Sequence, residues 1–135
     1  MGRRLSVVLG MVIASGCAAH FSVGARDAAA PTLMVFGGDR HSVYLGCLTC
    51  SEFASDSVFN HHGKHGIEAV RSVLNEAGPY GSKSSAYSAC NPRATDPPVI
   101  RDQRGKYYGQ LTVKPNADPP PTRTLGTWIA NVCQR

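Results

Sequence analysis

Leu33-Met34-Val35-Phe36-Gly37-Gly38-Asp39-Arg40-His41-Ser42-Val43-Tyr44-Leu45-Gly46-Cys47-Leu48 is the stretch that decides the fold. Leu33 to Phe36 and Ser42 to Leu48 are short and apolar, and the Gly37–Arg40 segment between them is Gly-rich. That composition predicts two strands around a turn, with Val43, Leu45 and Cys47 on one face. A second hairpin is expected further on. Pro97-Pro98 closes the middle of the chain, Val99 to Arg101 reads as a strand, and Asp102-Gln103-Arg104-Gly105 as a polar turn. Tyr107 to Val113 is the returning strand.

Beyond the second hairpin, residues 116–121 (NADPPP) form a stiff linker. Thr122 to Val132 then places Leu125, Trp128, Ile129 and Val132 at helical spacing. The stripe predicts one short helix laid on the sheet, with Trp128 as a core anchor. Gly126 inside it argues against a long one. The expected fold class is therefore α+β: a single domain of short antiparallel strands, a Gly/Asn-rich turn-repeat insert and a C-terminal helix.

The insert, at about residues 57–94, is inferred from an internal repeat. Ser57-Val58-Phe59-Asn60 recurs as Ser72-Val73-Leu74-Asn75 and, more loosely, as Ser88-Ala89-Cys90-Asn91, at offsets of 15 and 16. The first two copies continue as Asn-x-x-Gly-x-(His/Tyr)-Gly, through His61-His62-Gly63-Lys64-His65-Gly66 and Glu76-Ala77-Gly78-Pro79-Tyr80-Gly81. Asn and Gly accept turn conformations, so each copy reads as a small turn whose two apolar residues point into a core. So short a repeat must pack against the flanking strands. Between the copies, Ile67 to Leu74 carries Ile67, Val70, Val73 and Leu74 at spacing that suggests a helix-like stretch with one buried face.

The N-terminus speaks to compartment. Arg3 and Arg4 precede an uncharged run, Leu5 to Ala14, of about ten residues, the length of a signal h-region and too short to span a bilayer. Ala14-Ser15-Gly16-Cys17 resembles the lipobox at which bacterial lipoproteins are acylated and cut, although Ala14 stands where Leu is usual. Residues 1–16 are thus expected to be a signal peptide, Cys17 the lipidation site, and 17–31 a lipidated tether to a disulfide-stabilised domain at 32–135. Ordinary cleavage after Val23-Gly24-Ala25 is the alternative, giving a secreted or periplasmic protein. The arginine pair also has the look of a twin-arginine signal, a feature shared by ordinary n-regions.

Without residues 1–16 the chain carries 12 Lys+Arg against 9 Asp+Glu, a formal +3. Its basic residues are scattered, which argues against a nucleic-acid surface. Cys47, Cys50, Cys90 and Cys133 remain, an even number in an exported chain, and so are disulfide candidates in any of three connectivities.

The segments Val43 to Cys50, the Ser-φ-φ-Asn turns, Asp96-Pro97-Pro98-Val99-Ile100 and Tyr108-Gly109-x-Leu111-Thr112-Val113 resemble a family of small, largely uncharacterised bacterial exported proteins. The resemblance covers roughly residues 33 to 133. Members carry aromatic residues in place of His62 and His65, and a Ser-rich stretch in place of Ile67 to Arg71. The resemblance implies one fold unit and brings no activity and no catalytic residue.

Three constellations have chemical potential. Cys47-Leu48-Thr49-Cys50 has the spacing of thiol-disulfide oxidoreductases, but neither a long helix nor a βαβ pattern surrounds it. Cys47 and Cys50 with His61 and His65 approach zinc-finger spacing, yet an oxidising compartment favours disulfides, and the histidines lie in Gly turns. His61, His62 and His65 alone could capture metal adventitiously. Ser57, Ser72 and Ser88 recur with the turns, which suits capping of backbone amides better than nucleophilic catalysis, and no Gly-x-Ser-x-Gly elbow occurs.

The reading is a non-catalytic cell-envelope lipoprotein, a binding or interaction module anchored on the non-cytoplasmic side of a bacterial membrane. It has no expected cofactor, metal or catalytic residue. Its expected partners are the membrane, through the lipid, and another envelope protein, with Tyr80, Tyr87, Tyr107 and Tyr108 as contacts. The alternative is an envelope thiol-disulfide oxidoreductase or metal-binding protein using Cys47 and Cys50.

Overall fold

The computed structural model describes residues 29–135; the expected signal peptide, Cys17 and most of the expected tether lie outside the described residues. The fold is α+β, with one four-stranded antiparallel sheet and one C-terminal helix. Strands β1 (Leu33–Gly37), β2 (Val43–Cys47), β3 (Val99–Asp102) and β4 (Tyr107–Gln110) lie in the order β2-β1-β3-β4. The two hairpins expected from sequence are both present. What joins them is the pairing of β1 with β3, Leu33 opposite Asp102 through Phe36 opposite Val99.

In β1, Leu33, Val35 and Gly37 are buried and alternate with half-buried Met34 and Phe36, the period of a strand with one covered face. The alternation fails in β2. The register shifts between Val35 and Phe36, so that Val35 faces Gly46 while Phe36 faces Tyr44, and Leu45 becomes the extra residue of a bulge. Leu45, Gly46 and Cys47 are consequently buried in succession, and Val43 is only half-buried. Gly46 takes φ of 122°, and a Cβ there would meet Val58 and the His65 ring.

The fourth strand stops at Gln110, short of the Val113 expected. Beyond it the Leu111 amide still donates to the Pro98 carbonyl in the β3–β4 register, but Pro98 has no N–H to return the bond, and the Val113 amide turns to the Ala89 carbonyl. The linker has a further role, because the Gln110 amide donates to the Asp118 carbonyl and so covers the free edge of β4.

Helix α1 (Arg123–Val132) starts at Thr122, whose hydroxyl accepts the Leu125 amide at 3.2 Å as an N-cap. Its stripe faces the core as the spacing predicts: Ile129 and Val132 are buried, and Leu125 and Trp128 pack at the margin. Trp128 meets Phe59 edge-on, with ring centroids 5.0 Å apart. The Cys90–Cys133 disulfide fastens the end of the helix to the middle of the chain.

That middle contains neither helix nor named strand. From Ala54 to Gly78 every third amide donates to the carbonyl three residues earlier, so that consecutive turns share their corner residues. The helix-like stretch expected over Ile67–Leu74 is not formed. Ile67 is 40% and Val70 71% exposed, and of the four apolar residues only Val73 and Leu74 are buried. The three-residue rhythm places Val70 on a turn tip where a helix of 3.6 residues per turn would have turned it inward. Corners come close to other backbone: a side chain at Gly66 would collide with the His61 carbonyl.

The core is one cluster. Val35, Leu45, Ile100 and Leu111 from and beside the sheet meet Val58, Val73 and Ala89 from the turns, with Ile129 from the helix.

Candidate functional site

Ser57, Ser72 and Ser88 are completely buried and occupied with backbone. Each hydroxyl accepts the amide two residues on, from Phe59 at 3.2 Å, Leu74 at 3.0 Å and Cys90 at 3.0 Å. The Ser72 hydroxyl also donates to the His65 carbonyl at 2.7 Å. Asn60, Asn75 and Asn91 likewise act alike: the side-chain amide of each donates to a carbonyl six residues back, at Ala54, Ala69 and Ser85. Each carboxamide oxygen accepts the amide two residues on. These side chains therefore supply the hydrogen bonds that turns without a ladder lack, and none of the three serines faces a base. Among the described residues no buried side-chain nitrogen or oxygen is left without a partner.

The cysteines pair as Cys47 with Cys50 and Cys90 with Cys133. Cys47 is fully buried at the end of β2, and Cys50 is half-buried in the bend that follows. No helix begins at this pair, so the helix N-terminus that activates the first thiol of a redox Cys-x-x-Cys is missing from its surroundings.

The zinc-like set does not assemble, since both sulfurs are in a disulfide and the histidines diverge. His61 and His62 are exposed, whereas His65 is 7% exposed and set edge-on against Tyr44 at 5.2 Å. His65 occupies the slot of Tyr80 in the next repeat, and both rings lie against sheet glycines, His65 over Gly46 and Tyr80 over Gly37 and Gly38. Among the described residues no three His, Cys, Asp or Glu side chains are grouped to hold a metal ion.

The four tyrosines proposed as contacts divide. Tyr80 belongs to the core at 9% exposure, which removes it as a surface contact: its ring fills the space above the Gly37-Gly38 backbone. Tyr108 is half-buried, with its hydroxyl donating to Asp102 at 3.3 Å. Tyr87 and Tyr107 are exposed. The Tyr107 hydroxyl donates to Asp118 at 2.9 Å, and burial together with that bond and the carboxylate charge pushes its pKa up to about 12. Tyr44, not among the expected contacts, donates to Asp56 at 2.8 Å and is raised further, by burial and then by Asp56.

Asp102 is the organiser of the second hairpin. Burial pushes its pKa upward, but the Lys106 and Arg104 amides, the Tyr108 hydroxyl and the Arg104 charge outweigh it and hold the carboxyl below its ordinary value. His41 is a second residue without a sequence signal. Its Nε2 lies 2.9 Å from an Asp96 carboxylate oxygen and 3.1 Å from the Pro97 carbonyl, tying the Asp39–His41 turn to the segment leading into β3.

Three large apolar side chains also stand on the surface. Phe53 is 84% exposed, and Val70 and Ile67 stand out from other turn tips. Ile67 and Glu68 line a groove of about 610 Å³ together with His61, His62, Gly63 and Ala69. No motif marks Phe53, and the spacing of Ile67 and Val70 predicted burial on a helix face; their exposure follows from the three-residue turn period, which the 15-residue repeat alone does not reveal. No protein-family model, curated protein or solved structure matches the chain.

Proposed function

We propose that this protein is an exported bacterial lipoprotein, acylated on Cys17, whose folded domain is a non-catalytic binding module for another envelope protein. Kinship with the small exported proteins that its motifs resemble is part of that reading. Two disulfides indicate an oxidising, non-cytoplasmic location, and among the described residues no helix is long and apolar enough to cross a membrane. Residues 57–94 act as a turn-repeat insert that displays side chains from a backbone held by its own Ser and Asn residues.

The observation that carries the reading is the contrast within these turns. The recurring serines 57, 72 and 88 and asparagines 60, 75 and 91 are used internally, while the large apolar side chains Ile67 and Val70 are left on tips beside the His61–Ala69 groove. Rigid presentation of apolar groups lowers the entropic cost of association. The test is site-specific photocrosslinking from position 70 in living cells. A discrete protein adduct, lost when Ile67 is changed to Glu, is expected; absence of any protein adduct in cells that contain the folded, membrane-associated protein would defeat the proposal.

A further inference from the structure

The tether joins the domain at one end of the sheet, and that end has its own chemistry. Leu33 opens β1 there, held by its amide to the Thr49 hydroxyl at 2.9 Å and by its carbonyl to the Leu48 amide at 2.8 Å. The pairing of Leu33 with Asp102 brings the β3–β4 hairpin tip to the same end, and the Thr32 amide donates to the Gln103 side chain at 3.1 Å. The pairing of Met34 with Cys47 brings the end of β2 there as well, with the Cys47–Cys50 bend and the first turn beyond it, which carries Phe53.

The exposed groups at this end are therefore Arg104, Lys106, Tyr107, Glu52 and Phe53, with Arg101 half-exposed on the strand behind. Arg104 is 79% exposed and only 3.8 Å from its nearest partner, Asp102, a carboxylate that is itself completely buried. Lys106 lies over the Tyr108 ring at 5.2 Å. Asp118 holds the Tyr107 hydroxyl, and Glu52 is the acidic residue beside Phe53. The hairpin tip is thus cationic, and the most exposed of the large apolar side chains described, Phe53, is carried by the turn after the neighbouring bend.

We infer that this end of the domain is a membrane-contact face, with Arg104 and Lys106 meeting anionic phospholipid headgroups and Phe53 entering the interfacial layer. The inference rests on the lipid-anchor reading above. Fifteen residues separate Cys17 from the start of β1, and even fully extended they span no more than about 55 Å, so an acylated protein keeps this end within that distance of the bilayer. Contacts too weak to recruit a free protein become effective when the surface is already tethered nearby. Basic residues close to an anionic surface each strengthen association several-fold, and an aromatic ring is suited to the boundary between headgroup and acyl chain.

The experiment uses the full acylated protein in vesicles of phosphatidylglycerol with phosphatidylethanolamine, and in vesicles of neutral phosphatidylcholine. Flotation and hydrogen–deuterium exchange are read on the same samples. The expected result is flotation with both lipids, and exchange in residues 50–54 and 101–107 slowed about tenfold in the anionic vesicles alone. Arg104→Glu with Lys106→Glu should abolish that slowing while flotation and Trp128 emission stay unchanged. Wild-type protein that does not float overturns the anchor itself. Protein that floats with these segments unprotected, or equally protected on neutral lipid, overturns the membrane face alone.

Discussion

Removing the Cys90–Cys133 bridge by Cys90→Ser and Cys133→Ser should cost far more stability than removing Cys47–Cys50. The first pair is separated by 43 residues and the second by 3. In the chain-entropy description, cross-linking a loop of the larger size restricts the unfolded chain by about 4 kcal/mol, against about 1.6 kcal/mol for the smaller. The larger figure should lower the melting temperature of a domain of this size by roughly 15 °C or more. The loss should also be visible locally, because Cys133 closes α1 and the single tryptophan, Trp128, lies against Phe59. Urea unfolding followed by Trp128 fluorescence at pH 7 measures both effects. Equal destabilisation by the two double variants, or a greater loss from Cys47→Ser/Cys50→Ser, would show that loop closure is not what the long bridge contributes.

Further expectations concern the polar groups. Ser72→Ala should destabilise by about 1 to 3 kcal/mol in urea titration, more than Ser57→Ala or Ser88→Ala, because Ser72 alone of the three also satisfies the His65 carbonyl. Asp102 has a folded-state pKa below its ordinary 3.8. Its contribution is therefore complete above that value and fades as pH falls through the lower folded value. Exchange of the Arg104 and Lys106 amides should accelerate over that acid range beyond the intrinsic trend, and Asp102→Asn should remove the pH dependence. Tyr107 should ionise near pH 12 by NMR titration of its ring, and Asp118→Asn should bring it back toward 10 while leaving the part due to burial.

Strands and helix were legible because each obeys a short period. Leu33 to Phe36 and Val99 to Arg101 are compact apolar runs next to turn residues, and Leu125, Trp128, Ile129 and Val132 mark a helical stripe that the N-cap Thr122 starts on time. The order of the strands was not legible, because the β1–β3 pairing joins segments more than sixty residues apart and leaves no local mark. Ile67 to Leu74 misled because apolar residues at spacing three and four satisfy a helix and a three-residue turn array alike. The discriminating signal was the small residue at every third position, Ala54, Ser57, Asn60, Gly63, Gly66 and Ala69, which a helix does not require and a shared turn corner does.

The candidate surface was less legible than the fold. Tyr80 was expected as a surface contact, yet it and His65, which share a repeat slot, both lie on glycines of the sheet, where the missing side chains leave room for them. Phe53 carries no motif, and its significance comes from position at the end of the sheet where β1 begins. The pairing of the cysteines was open in sequence because all three connectivities satisfy an even count. In the fold, Cys47 and Cys50 flank one bend, with Cα atoms 5.6 Å apart, while Cys90 lies beneath the last turn of α1 with Cys133.

The account stands most directly on non-reducing peptide mapping by mass spectrometry of the protein taken from a membrane fraction. It predicts a mature chain beginning at diacylglyceryl-modified Cys17, with Cys47 joined to Cys50 and Cys90 to Cys133. A chain starting at Arg26, an unmodified Cys17, or bridges from Cys47 or Cys50 to Cys90 or Cys133 would contradict it.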